Sequence, residues 1–415
     1  MVRKILHIDC NCFYAAVEMQ RHPKLRKKPL AVCGSVEDRH GIVLTANYLA
    51  KPRGVKTGMA IWQAKQVCPE LEVLPPDMAE YIRFSQMARE IYEDYSDLIE
   101  PFGLDENWVD VTGSVGLFGN AMTIAREISE RIKFELGITV SIGVANNKIT
   151  AKLGSDYRKP DAITRIERDN YKEIVYPLPV EDLLYVGPAT HRKLNQMGVF
   201  TIGELAELPL DILTSRFGKM GRILSIFAQG NDISPVKHAD SNAVIKSVGN
   251  SATAPRDMVS NEDVWIMLLL LSESVAQRMR ELGSRCTTVE VSVRDTKLES
   301  FTRQRKLKMP TCASLEIART AFDLFRKSYS WGVPIRSIGV RGAGLVPADQ
   351  PVQLSFFGDV TRCDKWEEID KTVDDIRARY GYKSILRATM QADPLLCRVN
   401  PKDDHIVHPV GYFGG

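Results

Sequence analysis

The chain has 415 residues, of which 44% are apolar and 26% charged, and its formal net charge is +3. This length suggests roughly three domains, and the composition argues against long disordered stretches. The amino terminus shows no signal-peptide pattern, and the longest apolar run, residues 264–271, is too short to span a bilayer. We therefore expect a cytoplasmic protein with no membrane partner.

The spacing of the cysteines and the distribution of charge further restrict the class of protein. The eight cysteines form no CxxC pair and no Cys/His array with zinc spacing, which indicates reduced thiols. Residues 243–345 carry 16 Lys+Arg against 10 Asp+Glu, whereas the segments on either side are nearly balanced. A local positive surplus of this kind indicates a module that binds a polyanion.

In chain order, the first half predicts alternating strands and helices. Residues 5–8 predict a buried strand, 13–20 a helix, and 30–33 and 41–45 strands of a small module closing near residue 78. Residues 79–99 predict an amphipathic helix, 108–112 and 138–144 strands, and 121–136 and 147–157 helices. This alternation predicts an α/β core in which helices back a sheet.

The second half changes character twice. Residues 171–230 predict short helices, and the polar residues 231–242 predict an inter-domain linker. Helices at 264–282 and 314–328, with strands at 288–293 and 301–308, predict an α+β module. Beyond residue 345, a charged helix is predicted from about residue 364 to 380. Its apolar face is expected to hold Trp366, Ile369, Val373 and Ile376.

Three carboxylates carry the strongest chemical signal. Asp9 ends the first predicted strand, and Asp105 and Glu106 are adjacent at the turn before another strand. Adjacent acids raise each other's pKa unless a cation neutralises them, and carboxylate oxygens suit a hard divalent ion. Two such ions, about 3.5–4 Å apart, can hold an attacking hydroxyl and a leaving phosphate. An Asp-Glu pair alone is more often part of a solvated turn. The residues around it must therefore decide between a metal site and such a turn.

Those surroundings resemble, in order, the motifs of the Y-family DNA polymerases, especially the DinB or DNA polymerase IV group. Residues 9–18 resemble the opening motif of that family, and residues 104–112 resemble its second acidic motif. Residues 45–50 and 54–58 resemble the fingers, and residues 141–148, 151–153 and 158–160 resemble the end of the palm. Residues 246–249 and 255–257 resemble the start of the little finger. The matches keep their order across residues 4–357.

The resemblance implies a right-hand polymerase that combines α/β and α+β domains. The palm would be residues 1–10 and 79–170, the fingers 11–78, the helical thumb 171–230, the linker 231–242, the little finger 243–345 and the tail 346–415. It also implies a monomeric translesion enzyme that adds dNTPs to the primer end of primer–template DNA, without proofreading. Asp9, Asp105, Glu106 and the Cys10 carbonyl would hold two Mg²⁺ ions.

The resemblance also assigns the nucleotide contacts. Tyr14, next to Phe13, would be the steric gate that excludes a ribose 2′-hydroxyl. Tyr48, Lys51 and Lys159 would hold the triphosphate, since cations and a phenol hydroxyl suit phosphate oxygens. Taken alone, Tyr14 would more often be a core aromatic on a helix, and either lysine could be a solvated surface charge.

Several positions depart from the family's usual pattern. They are Lys51 in place of an arginine, Gly103 in place of a serine, Trp108 in place of a smaller aromatic, and Tyr185 in place of the first glycine of a hairpin. Ile42 and Leu44 are bulkier than usual at positions expected to roof the nascent base pair. We hypothesise that this roof is tighter and accepts fewer bulky lesions.

Three further features point to DNA. Residues 186–194 and 197–199 resemble a helix-hairpin-helix, in which Gly187 would offer a backbone N–H to a phosphate. Lys246 opens the basic module, and alternation places Arg303 and Arg305 on one face of a basic strand, where both could follow a phosphate backbone. A hairpin used only for packing, and a charged strand edge that prevents aggregation, are the alternatives.

The segment 353–357 carries Gln353, Leu354, Phe356 and Phe357 after a Pro-containing stretch. It resembles the short peptides by which bacterial polymerases bind the sliding clamp, and exposed apolar clusters often mark partner sites. The alternative is that it packs against its own domain.

Two rival functions remain open from the sequence. A nucleotidyl cyclase or another two-metal transferase could share the palm, but it would need neither the basic module nor the clamp-like peptide. A non-catalytic DNA-binding protein recruited to the clamp would not need the three carboxylates.

Overall fold

The computed structural model describes residues 2–35, 41–239, 245–351 and 360–398. The chain divides into two compact units. The first contains residues 2–34 and 42–239, and the second contains residues 245–351 and 360–398. The clamp-like residues Gln353, Leu354, Phe356 and Phe357 lie outside the described residues. None of the described helices combines the length and apolar character needed to cross a bilayer.

The first unit alternates strands and helices, as the hydrophobic patterns predict. Its strands are β1 (Ile5–Cys10), β2 (Leu30–Cys33), β3 (Val43–Ala46), β4 (Glu72–Leu74), β5 (Ile99–Pro101), β6 (Glu106–Asp110), β7 (Val140–Ala145) and β8 (Ile163–Ile166). Its helices are α1 (Phe13–Arg21), α2 (Ile61–Val67), α3 (Met78–Glu93), α4 (Val115–Phe118), α5 (Ala121–Arg131), α6 (Lys148–Tyr157), α7 (Tyr171–Val175), α8 (Pro188–Gln196), α9 (Ile202–Glu207), α10 (Leu210–Phe217) and α11 (Lys219–Ala228).

The central sheet has the strand order β5-β6-β1-β7-β8, so β1 lies in the middle and all six of its residues are buried. One face packs on α1, α3 and α5, and the other on α6 and the short helices of residues 171–228. A smaller sheet, β3-β2-β4, belongs to the segment predicted as fingers. A sheet buried on both faces explains why β1 carries the apolar residues Ile5, Leu6 and Ile8 on both of its sides, with His7 as a buried polar residue before Asp9.

One predicted helix boundary is wrong in an informative way. The helix predicted to reach Ile99 ends at Glu93, and Ile99 instead starts the edge strand β5, which pairs with β6. The helical spacing of the apolar residues therefore continued by chance into a strand. Residues 231–239, which belong to the predicted linker, contact the rest of the first unit: the Ala239 N–H donates to the Asp97 carbonyl, and Arg3 donates to the Ser234 carbonyl.

The second unit contains β9 (Ser247–Met258), α12 (Asn261–Glu281), β10 (Ser284–Asp295), β11 (Ser300–Thr311), α13 (Ser314–Ser328), β12 (Ile335–Pro347) and α14 (Val360–Tyr380). Its antiparallel sheet has the order β11-β10-β12-β9. Helices α12 and α13 cover one face of this sheet. Residues 264–271 of α12 are apolar all round because α12 packs on the sheet on one side and on α13 and residues near Met390 on the other.

The face of helix α14 that packs on the rest of the second unit differs from the predicted apolar face. Ile369 is exposed, whereas Glu367, Asp370 and Arg377 are buried. Glu273 of α12 accepts hydrogen bonds from Arg377 (2.8 Å) and Arg387 (2.6 Å). The predicted apolar face is thus incorrect in part, because buried ion pairs hold much of this contact.

Candidate active site

The three predicted carboxylates lie close together at the end of the central strands. Asp9 and Glu106 are directly paired across β1 and β6, and the Cys10 N–H donates to the Asp105 carbonyl at 3.0 Å. The turn before them contains Gly103 with φ 91°, a left-handed conformation that glycine adopts without strain. This explains why glycine rather than serine suits this position.

A cavity of about 310 Å³ opens above these carboxylates. It is lined by all of the residues predicted for catalysis and nucleotide binding, namely Asp9, Cys10, Phe13, Tyr14, Tyr48, Lys51, Asp105, Glu106 and Lys159, and by Cys12, Leu44, Thr45 and Thr57. Leu44 therefore faces the cavity, as the roof hypothesis requires, whereas Ile42 does not line it. The folding of the chain brings together residues that are up to 150 positions apart.

The pKa values of the three carboxylates are shifted in different directions. Burial, together with the negative charges of Asp9 and Glu106, raises the pKa of Asp105 to about 7. Burial also acts to raise the pKa of Glu106, but contacts with His7 and Lys152 outweigh it and hold that pKa at about 2. Lys159 Nζ lies 2.6 Å from Asp9 Oδ2, and burial nevertheless raises the pKa of Asp9.

The donor set fits a hard divalent cation. Its oxygens come from three carboxylates at one cavity, and the raised pKa of Asp105 shows that its negative charge is not fully balanced by the protein. Within the described part of the chain, no three ligand-type side chains already converge on one point. Two of the carboxylates are instead paired with Lys152 and Lys159.

Helix α6 supplies Lys152, and Lys159 follows the end of that helix. Gly143 lets the helix approach the sheet. A Cβ added to Gly143 on β7 would lie 1.8 Å from the Ala151 carbonyl oxygen of α6. The Asn147 side chain caps the helix by accepting from the Thr150 N–H at 2.9 Å. Lys152 is thereby placed on Glu106.

The contacts that His7 and Trp108 make near the carboxylates were not predicted from the sequence. His7 Nδ1 lies 2.7 Å from Ser155 Oγ, and its Nε2 lies 3.3 Å from Glu106 Oε2. The Trp108 ring packs edge-on against His7 at 5.1 Å, and its Nε1 donates to the Lys148 carbonyl. The large ring therefore fills the space beneath His7. The signal available in the sequence was the period of two that places His7 and Asp9 on one face of β1.

The aromatic side of the cavity is braced from behind. The Tyr14 ring stacks on Tyr81 with centroids 4.3 Å apart and planes 11° from parallel, and the Tyr81 hydroxyl donates to Glu18 at 2.8 Å. Across the cavity, Lys51 Nζ lies 4.3 Å above the Tyr48 ring. These contacts restrict the side chains that were predicted to meet the nucleotide.

The predicted DNA contacts lie elsewhere on the chain. Gly187 is the N-cap of α8, and Tyr185 adopts φ 72°, so the backbone keeps the left-handed turn that a glycine would favour. Lys246 is exposed immediately before β9. Arg303 and Arg305 share a face of β11, as predicted.

The strand register shows on which face of the sheet of the second unit these two arginines lie. Arg303 is paired with Val291, and Arg305 with Val289, and both valines are buried beneath the helices. Directly paired residues point to the same side of a sheet, so both arginines lie on the helix-covered face at its edge. Arg305 is 3.5 Å from Asp323 of α13. The open face instead carries their neighbours, such as Lys306.

Comparison with known proteins gives the family. Residues 8–156 match the impB/mucB/samB family, and residues 245–356 match its C-terminal domain. DNA polymerase IV of Acetivibrio thermocellus is 50% identical over 96% of this chain and 100% of its own length. The chain belongs to the Y-family of DNA polymerases. A second relative, DNA polymerase IV 2 of Bacillus subtilis, is 37% identical over 92% of this chain and 93% of its own length.

A solved structure supports the same assignment. A Y-family DNA polymerase chimera is 27% identical, has a TM-score of 0.73, and covers 83% of this chain and 99% of its own. The predicted family, multidomain polymerase fold and DNA-directed DNA polymerase activity are therefore confirmed, and a non-catalytic DNA-binding protein is not favoured.

Proposed function

We propose that this Y-family polymerase transfers nucleotides through two Mg²⁺ ions held by Asp9, Asp105, Glu106 and the Cys10 carbonyl. The observation that carries the proposal is the single cavity that these residues share with Tyr14, Tyr48, Lys51 and Lys159. When bound, the ions would neutralise the carboxylates and polarise the phosphate of a dNTP, with pyrophosphate as the leaving group.

The protein's own residues position the reactants. Lys51, Tyr48 and Lys159 offer donors to the triphosphate, and Lys159 can exchange Asp9 for a phosphate oxygen because both are anionic partners. The braced Tyr14 ring, next to Phe13, occupies the space of a ribose 2′-hydroxyl and selects dNTPs. His7 and Lys152 hold the Glu106 carboxylate in place.

Primer extension tests the site. The wild type, given a primed template, Mg²⁺ and all four dNTPs, should make short template-matched additions, and Glu106→Ala should make none. Retained primer–template binding by the variant would show that chemistry rather than folding is lost. Equal extension by both proteins would refute the assignment of Glu106.

Recruitment forms the second part of the proposal. We expect a cytoplasmic monomer without proofreading that binds the sliding clamp through Gln353, Leu354, Phe356 and Phe357. DNA would be held by Gly187 in the hairpin and by Lys246, Arg303 and Arg305 in the little finger. Phe356→Ala with Phe357→Ala should abolish clamp binding in a pull-down with purified clamp while leaving unassisted primer extension intact.

A further inference from the structure

The fingers carry an exposed tryptophan outside the cavity. Trp62 lies in the first turn of α2 and is 63% exposed, and among the described residues no other aromatic ring packs on it. A tryptophan ring is large, flat and rigid, so an exposed one offers a face on which a planar partner can stack. This isolation marks Trp62 as a candidate contact.

Strand pairing connects Trp62 to the roof of the cavity. Leu44 lines the cavity, and Ile42, two residues earlier along the same stretch, is 44% exposed and does not line it. Ile42 forms a bridge with Ala60, and the Val43 N–H donates to the Met59 carbonyl. Trp62 follows Ala60 by two residues, so the chain places it next to this bridge, beside the segment that carries Leu44.

The charge around Trp62 points to a polyanion. Residues 41–69 contain four cationic residues, Lys51, Arg53, Lys56 and Lys65, and no acidic residue. All four are exposed. Arg53 is paired with Glu70, whereas Lys56 and Lys65 have no carboxylate within ion-pair distance among the residues that the structure describes. An open aromatic ring among cations is the pattern by which proteins bind single-stranded nucleic acid.

We propose that Trp62 stacks on an unpaired template base ahead of the nascent pair, with Lys56 and Lys65 at the adjoining phosphates. The partner is single-stranded rather than duplex DNA because bases inside a duplex are already stacked and offer no free face. The inference rests on the proposed function, since only a template-directed enzyme holds an unpaired template beside its cavity.

Binding measurements separate this contact from general DNA affinity. Fluorescence anisotropy would compare one duplex with and without an unpaired template overhang of about six nucleotides. Trp62→Ala should weaken binding to the overhang substrate roughly tenfold and leave binding to the blunt duplex unchanged, and Trp62→Phe should restore most of the loss. Phe134→Ala, at another exposed aromatic on the first unit, is the control and should change neither.

Equal weakening on both substrates, or none on either, would overturn the proposal. Salt dependence gives a second measure that needs no change at Trp62. Replacing Lys56 and Lys65 by alanine should lower the slope of log affinity against log salt by about 0.7 for each lysine on the overhang substrate. An unchanged slope would mean that Lys56 and Lys65 do not contact the phosphates of the overhang.

Glu106→Ala separates this inference from the proposed function. That variant should lose primer extension and still prefer the overhang substrate in a manner that depends on Trp62. No extension by the wild type would contradict the proposed function, whereas a preference independent of Trp62 would contradict only the stacking contact.

Discussion

The ammonium group of Lys159 lies 2.6 Å from Asp9 Oδ2 and 2.8 Å from Asp156 Oδ1, so one lysine joins two carboxylates beside the cavity. Asp156 is in the last turn of α6, and Lys159 follows that helix. The contact holds the lysine where the triphosphate is proposed to bind.

Replacing Lys159 should therefore weaken nucleotide binding. A charge-assisted hydrogen bond contributes about 1.5–3 kcal/mol, so Lys159→Ala should raise the KM for dNTP about tenfold or more in single-nucleotide insertion assays. Lys133→Ala is the matched control, because Lys133 pairs with Asp161 and does not line the cavity. A KM that matches the control would exclude Lys159 from the nucleotide site.

Asp105 should make the metal-free protein sensitive to pH. Its pKa is about 7 in the folded protein and about 3.9 in an unfolded chain, so the folded state retains a proton that the unfolded state releases. Stability from this group is therefore present at low pH and lost as pH rises from about 4 to about 7.

Asp105→Asn removes this titration. With metal chelated, the variant should be more stable than the wild type at high pH, by on the order of 4 kcal/mol, and the difference should shrink toward zero near the lower end of the window. Denaturant-unfolding experiments near the two ends of this pH range, about 4 and about 7, would measure the difference in the free energy of unfolding. Added Mg²⁺ should stabilise the wild type more than the variant, and a pH-independent difference would argue against the raised pKa.

The contact between β7 and α6 should tolerate no side chain at Gly143. Gly143→Ala would drive a Cβ into the Ala151 carbonyl, so the helix must shift, and we expect destabilisation of about 1–3 kcal/mol or more. Gly113→Ala is the control, since its added Cβ would meet nothing within 4 Å. Thermal unfolding compares the two, and similar melting temperatures would mean that α6 adjusts freely.

Glu273 should be essential to the attachment of the tail. Its removal leaves Arg377 buried without its partner, and breaking a buried ion pair costs about 3–5 kcal/mol. Glu273→Ala should therefore expose residues 360–398 to limited proteolysis, whereas Glu368→Ala, at an exposed position of α14, should behave as the wild type. Unchanged protease resistance would show that the remaining ion pairs and the apolar contacts suffice to hold the tail.

Much of the active site could be predicted from the sequence because its signals are local. Asp9 at the end of an apolar strand, the Asp105-Glu106 pair and the ordered motifs around them depend on neighbouring residues only. The same holds for the helical spacing of α5, α6 and α13. The family, and the residues predicted for catalysis and nucleotide binding that line the cavity, followed from these signals.

Other features depended on contacts between distant parts of the chain. Hydrophobic spacing alone could not show that Ile99 pairs in an edge strand, or that α14 is buried through charged residues, since each partner lies elsewhere in the sequence. The sequence by itself determined which residues carry the chemistry. Only the tertiary structure decided which cations meet the carboxylates, because Lys152 and Lys159 reach Glu106 and Asp9 through the close approach of α6 to Gly143.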